Sequence, residues 1–179
     1  MQVARPVDIL AGDVEERLRG LFDDHYQGIV GLLYRLLGSR EEAEEQAQEA
    51  FIRLTRNAVI WRPREEVLAW LRRVALNLGY NVIRSRRREL DRLQRNARLE
   101  QPLQRASSAD PETRALRAEE IARVRASLVQ LPAKYQACLL LRYSGLSYKE
   151  VAVALGVAPG SVGTLLARAE EAFRTHYKE

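Results

Sequence analysis

A chain of 179 residues, 46% hydrophobic and 30% charged, has room for one domain or two small ones and the composition of an ordinary globular protein. Cys138 is the single cysteine, and His25 and His176 lie far apart, so neither a disulfide framework nor a metal site of zinc-like spacing is expected. The net charge is only +5, but it is unevenly spread: Leu71 to Arg88 contains arginines and no acid, while Glu41 to Glu49 contains glutamates and no base. That segregation points to two partners of opposite charge, one of them nucleic acid.

Residues 1–12 lack the apolar centre of a signal peptide, and no apolar run is long enough to span a bilayer. The chain reads as cytoplasmic. Gly and Pro are sparse and strand-like alternation is hard to find, which predicts an all-α fold. We divide it into an N-terminal tail (1–12), a helical domain (13–90), a linker (91–112) and a second helical domain (113–179). The linker, expected to be flexible and extended, contains LEQPLQRASSADPE, with two prolines, two serines and no apolar stripe.

In the first block, Ser39 followed by Glu42 is a capping-box pattern that announces a helix. Ala43, Ala47, Ala50, Phe51 and Leu54 share its apolar face. The opposite face carries Glu41, Glu45, Gln48, Glu49 and Ile52, an isoleucine within an acidic rim, as in a partner-binding patch. The next helix is predicted over about Glu65 to Arg86, with Val67, Leu71, Val74, Leu78 and Val82 inward. Beside that stripe run Arg73, Asn77, Tyr80 and Arg84, offering cations for phosphate, an amide for a base edge and a ring for stacking. Arg86, Arg87 and Arg88 extend the positive surface. Just before this helix, Trp61-Arg62-Pro63-Arg64 is a stiff loop able to stack on an extruded base while its cations hold phosphate. Core packing competes as a role for Trp61 and, more strongly, for Trp70.

In the second block, Ile121 to Leu128 and Tyr135 to Tyr143 read as core helices broken at Pro132. A helix-turn-helix follows. Ser147 and Glu150 form a second capping-box pattern, Ala152 permits close helix approach, and Gly156 supplies the positive-φ turn residue. Pro159 suits the first turn of the next helix, and Val151, Leu155, Val157, Val162 and Leu166 pack the pair together.

Three stretches, YRLLGSREEAEEQAQEAFIRL, AWLRRVALNLGYNVIRSRRR and LVQLPAKYQACLLLRYSGLSYKEVAVALGVAPGSV, resemble regions 2 and 4 of the bacterial extracytoplasmic-function sigma factors. The resemblance implies a non-enzymatic initiation factor, without metal or cofactor, that binds core RNA polymerase and directs it to promoters. Glu41, Glu45, Gln48, Glu49 and Ile52 would dock on the clamp coiled coil of the largest subunit. Trp61, Arg62, Arg64, Arg73, Asn77, Tyr80, Arg84, Arg86, Arg87 and Arg88 would recognise and open the −10 element. The segment around Asp91 to Glu112 would thread towards the RNA exit channel, and the second block would sit on the −35 element and the polymerase flap. The resemblance also implies an anti-sigma factor or other regulator as a partner, and no membrane.

Two departures from the family stand out. Asn81 replaces a usual aspartate, and Gly163, Leu165 and Ala167 stand where relatives commonly carry Lys, Arg and His. That leaves Arg142, Lys149, Gly160, Ser161, Thr164 and Arg168 to contact the −35 DNA. A good bidentate contact supplies roughly 1–3 kcal/mol of base discrimination, so the −35 contact is expected to be weakly selective, held by backbone approach and DNA shape, or else to have help from another DNA-bound factor. Two other readings are a stand-alone helix-turn-helix regulator and a sigma-like interaction protein repurposed for another task.

Overall fold

The computed structural model describes the backbone of residues 6–96 and 111–178 and the side chains of residues 13–93 and 119–178. Among these residues the fold is all-helical: α1 (Pro6–Leu37), α2 (Arg40–Thr55), a 3-10 turn (Ala58–Trp61), α3 (Arg64–Asn96), α4 (Pro111–Gln130), α5 (Ala133–Tyr143), α6 (Tyr148–Leu155) and α7 (Pro159–Lys178). No single helix among them is long and apolar enough to cross a membrane.

The first body packs α1, α2 and α3 together. α1 ends at Gly38, whose φ of +80° turns the chain while its N–H donates to the Tyr34 carbonyl at 2.9 Å. Ser39 then caps α2, its side chain accepting from the Glu42 N–H at 3.3 Å. Glu42 does not complete the expected box; its carboxylate is paired with Arg86 of α3, which offers charge where the Ser39 N–H offers only a dipole. The predicted inward face of α2 is buried in full. Phe51 also closes an aromatic cluster with Phe22 and Tyr26 of α1, ring centroids 5.1 and 6.0 Å away.

α3 buries Val67, Leu71 and Leu78 and half-buries Val74 and Val82. Its Gly79 lies against α1: a Cβ there would come within 2.6 Å of Leu36 Cδ2 and 3.1 Å of Leu33 Cδ2. The missing side chain sets how closely the two helices approach.

The second body packs α4, α5, α6 and α7 around Cys138, Leu141, Val151, Val162 and Ala169, all fully buried. The Gln136 side chain donates to the Leu131 carbonyl at 2.7 Å, satisfying backbone at the break before α5. Burial pushes the Cys138 thiol pKa up, as for a packed rather than a reactive cysteine.

Three helix boundaries and one burial differ from expectation. The tail assigned to 1–12 is helical from Pro6, and the last block's first helix begins at Pro111. α3 runs past Arg86 to Asn96, so the linker's first residues, Asp91 to Asn96, are helical rather than extended, continued by the good helix formers Glu89, Leu90 and Arg92. The middle of the expected linker lies outside the described residues. Ile121, expected in the core, is 48% exposed because α4 turns it towards an open groove.

The two bodies touch. α3 packs on α6, and α1 packs on α4 and α5. Arg35 donates to Ser144 Oγ at 3.0 Å, and Arg125 donates to the Tyr34 carbonyl at 3.3 Å with its guanidinium 5.0 Å from the Tyr34 ring centre. Gly79→Val, which forces a branched side chain into the α1–α3 contact, is expected to destabilise the protein by about 1–3 kcal/mol, read as a lower urea midpoint with unchanged m-value.

Candidate nucleic-acid interface

The acidic face of α2 is open. Glu41, Glu45 and Gln48 are exposed and Ile52 is 47% exposed, while Glu49 is half-buried in an ion pair with Arg53 at 2.7 Å. The structure therefore brings these five residues onto one surface with an apolar centre.

The loop before α3 is fixed from below. Arg17 of α1 donates to the Arg62 carbonyl at 2.6 Å, and Arg64 donates to Asp24 Oδ2 at 2.5 Å. Arg64 also lies 2.9 Å from His25 Nε2, a contact that requires an unprotonated nitrogen. Burial, then the Arg64 charge, hold the His25 pKa below its ordinary value. Trp61, 49% exposed, and Arg62 are thus presented outward on a braced loop, whereas Trp70 packs against the core. Arg64 is committed to this brace, which corrects its assignment as an open phosphate cation. Sequence reasoning passed over Arg17, Asp24 and His25, because their partners lie some 40 residues away with no local pattern to mark them.

Along α3 the expected stripe is present, but part of it is covered. Arg73 donates through Nε to the Ala154 carbonyl at 2.8 Å and through a terminal nitrogen to the Val153 carbonyl at 2.9 Å. The Tyr80 hydroxyl donates to the Ala133 carbonyl at 3.1 Å, and burial pushes its pKa up, keeping it a neutral donor. The open placement expected of these two residues is corrected: both face the second body. Asn77 is exposed at the same seam, and Arg84 is held by the Asn81 amide oxygen at 2.7 Å. Asn81, an amide rather than a carboxylate, thus orients a cation without neutralising it. Arg86 is a further correction, since it pairs with Glu42 and donates to the Leu37 carbonyl at 3.2 Å. Arg87 and Arg88 are exposed. Arg73, Asn77, Tyr80, Arg84, Arg87 and Lys134 rim a groove of about 510 Å³ between the bodies.

The helix-turn-helix forms as expected. Ser147 and Glu150 make a complete capping box, Gly156 adopts φ +65°, and α7 begins at Pro159. Hydrogen bonds from Ser147 lower the Glu150 pKa, so the cap persists as a carboxylate. Arg142 donates to the Leu146 carbonyl at 3.2 Å and stacks 5.6 Å from the Tyr148 ring centre, bracing the turn into α6. Lys149, Gly160, Ser161, Thr164 and Arg168 are exposed, the last four on the outer face of α7. Gly163 and Leu165 are half-buried; a Cβ at Gly163 would meet Tyr148 at 3.7 Å, and Leu165 packs on the core. Of Gly163, Leu165 and Ala167, only Ala167 is on the exposed surface.

Comparison with known proteins identifies the family of the two bodies. Residues 21–89 match the Sigma-70 region 2 family and residues 121–173 match Sigma-70, region 4. The two matches, in this order along one chain, define a sigma-70-type factor. Curated relatives sharpen this. The ECF RNA polymerase sigma factor SigW of Bacillus subtilis is 30% identical over 172 residues, 92% of this chain and 91% of that protein. The RNA polymerase sigma-H factor of Pseudomonas aeruginosa is 33% identical, covering 80% of this chain and 77% of that protein. The ECF RNA polymerase sigma factor SigE of Mycolicibacterium smegmatis is 30% identical over 87% of this chain, which spans 60% of that protein's length. The solved structure of CnrH in complex with the cytosolic domain of CnrY shares the fold, with TM-score 0.61 at 19% identity over 93% of this chain and 94% of CnrH. So does the sigma factor RpoE in complex with the anti-sigma factor NepR from Bartonella quintana, with TM-score 0.56 at 19% identity over 89% and 96%. The chain belongs to the extracytoplasmic-function sigma factors, non-enzymatic proteins that direct RNA polymerase in promoter recognition.

The His25 brace makes a pH prediction. Because the folded ring is harder to protonate than the unfolded one, the unfolded chain takes up the proton first as pH falls, and stability is lost from the ordinary histidine range downward. Comparing urea midpoints at about pH 7.5 and about pH 5.5 is expected to show a drop that His25→Gln reduces.

Proposed function

We propose that the two surfaces divide the work of initiation, with α2 docking on the polymerase and α3 with its preceding loop capturing the −10 element. Support comes from one observation above the rest: the acidic, isoleucine-centred face of α2 and the basic, aromatic rim of α3 belong to one packed helical body yet present opposite charge. Such a body bridges an enzyme surface and a polyanion without either partner competing for the same side chains. On this reading Glu41, Glu45, Gln48, Glu49 and Ile52 meet the clamp coiled coil of the largest subunit. Trp61 stacks on an extruded base, Asn77 handles an unstacked base, and Arg62, Arg84, Arg87 and Arg88 hold phosphate.

The second body acts chiefly as a clamp on duplex DNA and on the flap. The exposed N-terminus of α7 at Gly160 and Ser161 faces a phosphate, Lys149 and Arg168 add cations, and Thr164 supplies a short polar reader. Discrimination at the −35 element then rests largely on DNA shape, or on a neighbouring DNA-bound factor that tethers the second body. CnrH and RpoE, which share this fold, were each solved with a partner protein; by extension a protein regulator of the anti-sigma kind controls this chain in the cytoplasm.

Run-off transcription with purified bacterial core polymerase tests the reading. The chain is expected to support initiation at discrete sites. Asn77→Ala combined with Arg84→Ala is expected to reduce it by about tenfold to a hundredfold with core binding unchanged, as loss of roughly 1.4–3 kcal/mol of strand contacts requires. Glu45→Lys with Ile52→Asp is expected instead to weaken core binding. Binding to core without initiation would favour a repurposed interaction protein, and a palindromic footprint by the chain alone would favour a stand-alone regulator.

A further inference from the structure

The groove between α3 and α5 carries charge of one sign. Arg73, Arg84, Arg87 and Lys134 line it, and among the described residues no carboxylate does. Arg84 is met by the Asn81 amide oxygen and the Tyr80 carbonyl, and Arg73 by the Val153 and Ala154 carbonyls, so neutral groups orient both charges without cancelling them. Arg87 and Lys134 are exposed and form no ion pair among the described residues. Lys134 also stands in the first turn of α5, whose N-cap, Pro132, makes no side-chain capping bond; the open N–H groups there add the positive end of a helix dipole. A bound polyanion relieves the mutual repulsion of such a cluster.

Phosphate alone does not account for the rest of the groove. Leu76, Ile83, Val129 and Leu155 form an apolar trough beside the cations. Asn77 offers an exposed amide within the same lining. Gln136, only 6% exposed, belongs to the wall: its Nε2 donates to the Leu131 carbonyl at 2.7 Å and to the Val129 carbonyl at 3.4 Å, while its Oε1 is buried without a partner. A buried acceptor left open is destabilising, and a ligand N–H would satisfy it. The groove's volume of about 510 Å³ lies within the range of small-molecule sites, roughly 300–1,000 Å³.

We propose that this groove is a binding site for a nucleoside polyphosphate, with the phosphates among Arg84, Arg87 and Lys134 and the base in the trough, its edge met by Asn77 and Gln136. Lys134 and Gln136 have no part in the assignment of α3 to the −10 strand, so the site stands apart from that reading. Asn77, Arg84 and Arg87 serve both ligands, and bound nucleotide therefore competes with single-stranded DNA for the free chain; this consequence alone rests on the −10 assignment.

Isothermal titration calorimetry of the full chain in magnesium-free buffer tests the site, with ADP, GDP, inorganic pyrophosphate and adenosine as probes. One-to-one binding of a nucleoside diphosphate is expected, weakening as salt rises, with pyrophosphate and adenosine each at least about tenfold weaker because each lacks half of the contacts. Lys134→Ala is expected to weaken the nucleotide about tenfold, as loss of one charge-assisted contact gives. Val129→Trp, which fills the trough, is expected to abolish binding with helicity unchanged by circular dichroism, while Arg174→Ala, a cation outside the groove, leaves it unchanged. No saturable binding of either nucleotide, or binding indifferent to both Lys134→Ala and Val129→Trp, overturns the site. Pyrophosphate binding as tightly as the nucleotides overturns the base subsite and leaves only an anion cluster. The same nucleotides are expected to displace a fluorescein-labelled single-stranded DNA of random sequence from the chain. Lys134-dependent nucleotide binding without displacement overturns the competition, and puts the strand off the α3 stripe while the groove site stands.

Discussion

Arg73 and the two carbonyls at the end of α6 form the contact on which the arrangement of the molecule turns. An α-helix ends with carbonyls that lack intrahelical partners, and α6 is a short helix whose last turn lies against the first body. Gly156 takes the chain away in the left-handed conformation, and its N–H donates back to Val153, leaving acceptor capacity that a bidentate guanidinium fills. Beside that contact lie the buried Tyr80, the approach of Arg72 to Glu150, and the basic groove between the bodies. A lysine at position 73 would bring the charge without the fork that spans two carbonyls.

Much of this architecture was legible in the sequence because it is local. The inward face of α2, the capping box at Ser147 and Glu150, the turn at Gly156 and the start at Pro159 depend on residues within a few positions of one another. Long-range pairings were not. Nothing near Glu42 says that Arg86 will claim it, and nothing near Arg64 announces Asp24 and His25. Gly79 looks like a helix weakness until Leu33 and Leu36 are placed opposite it. The stripe of Arg73, Asn77, Tyr80 and Arg84 was readable as a face, but its covering by α6 was not, since neither helix has a patterned seam for the other.

The sparse chemistry of α7 also looks different once the helix is in place. Gly163 and Leu165 face inward, against Tyr148 and the core, so the outer face loses less reading capacity than the residue types alone imply. Ser161, Thr164 and Arg168 remain there with the open helix N-terminus, a set better suited to holding phosphate than to telling bases apart. The first body, by contrast, combines a braced aromatic loop with an amide and cations along α3, the kinds of group that the proposed function assigns to unstacked bases. On the proposed reading, discrimination concentrates in the first body and holding in the second.

The most direct measurement is sequencing of transcripts initiated by the reconstituted holoenzyme on promoter libraries randomised separately at the −10 and −35 elements. A division into a reading body and a holding body predicts steep selection among −10 sequences and shallow selection among −35 sequences. Steeper selection at −35 than at −10 would contradict it.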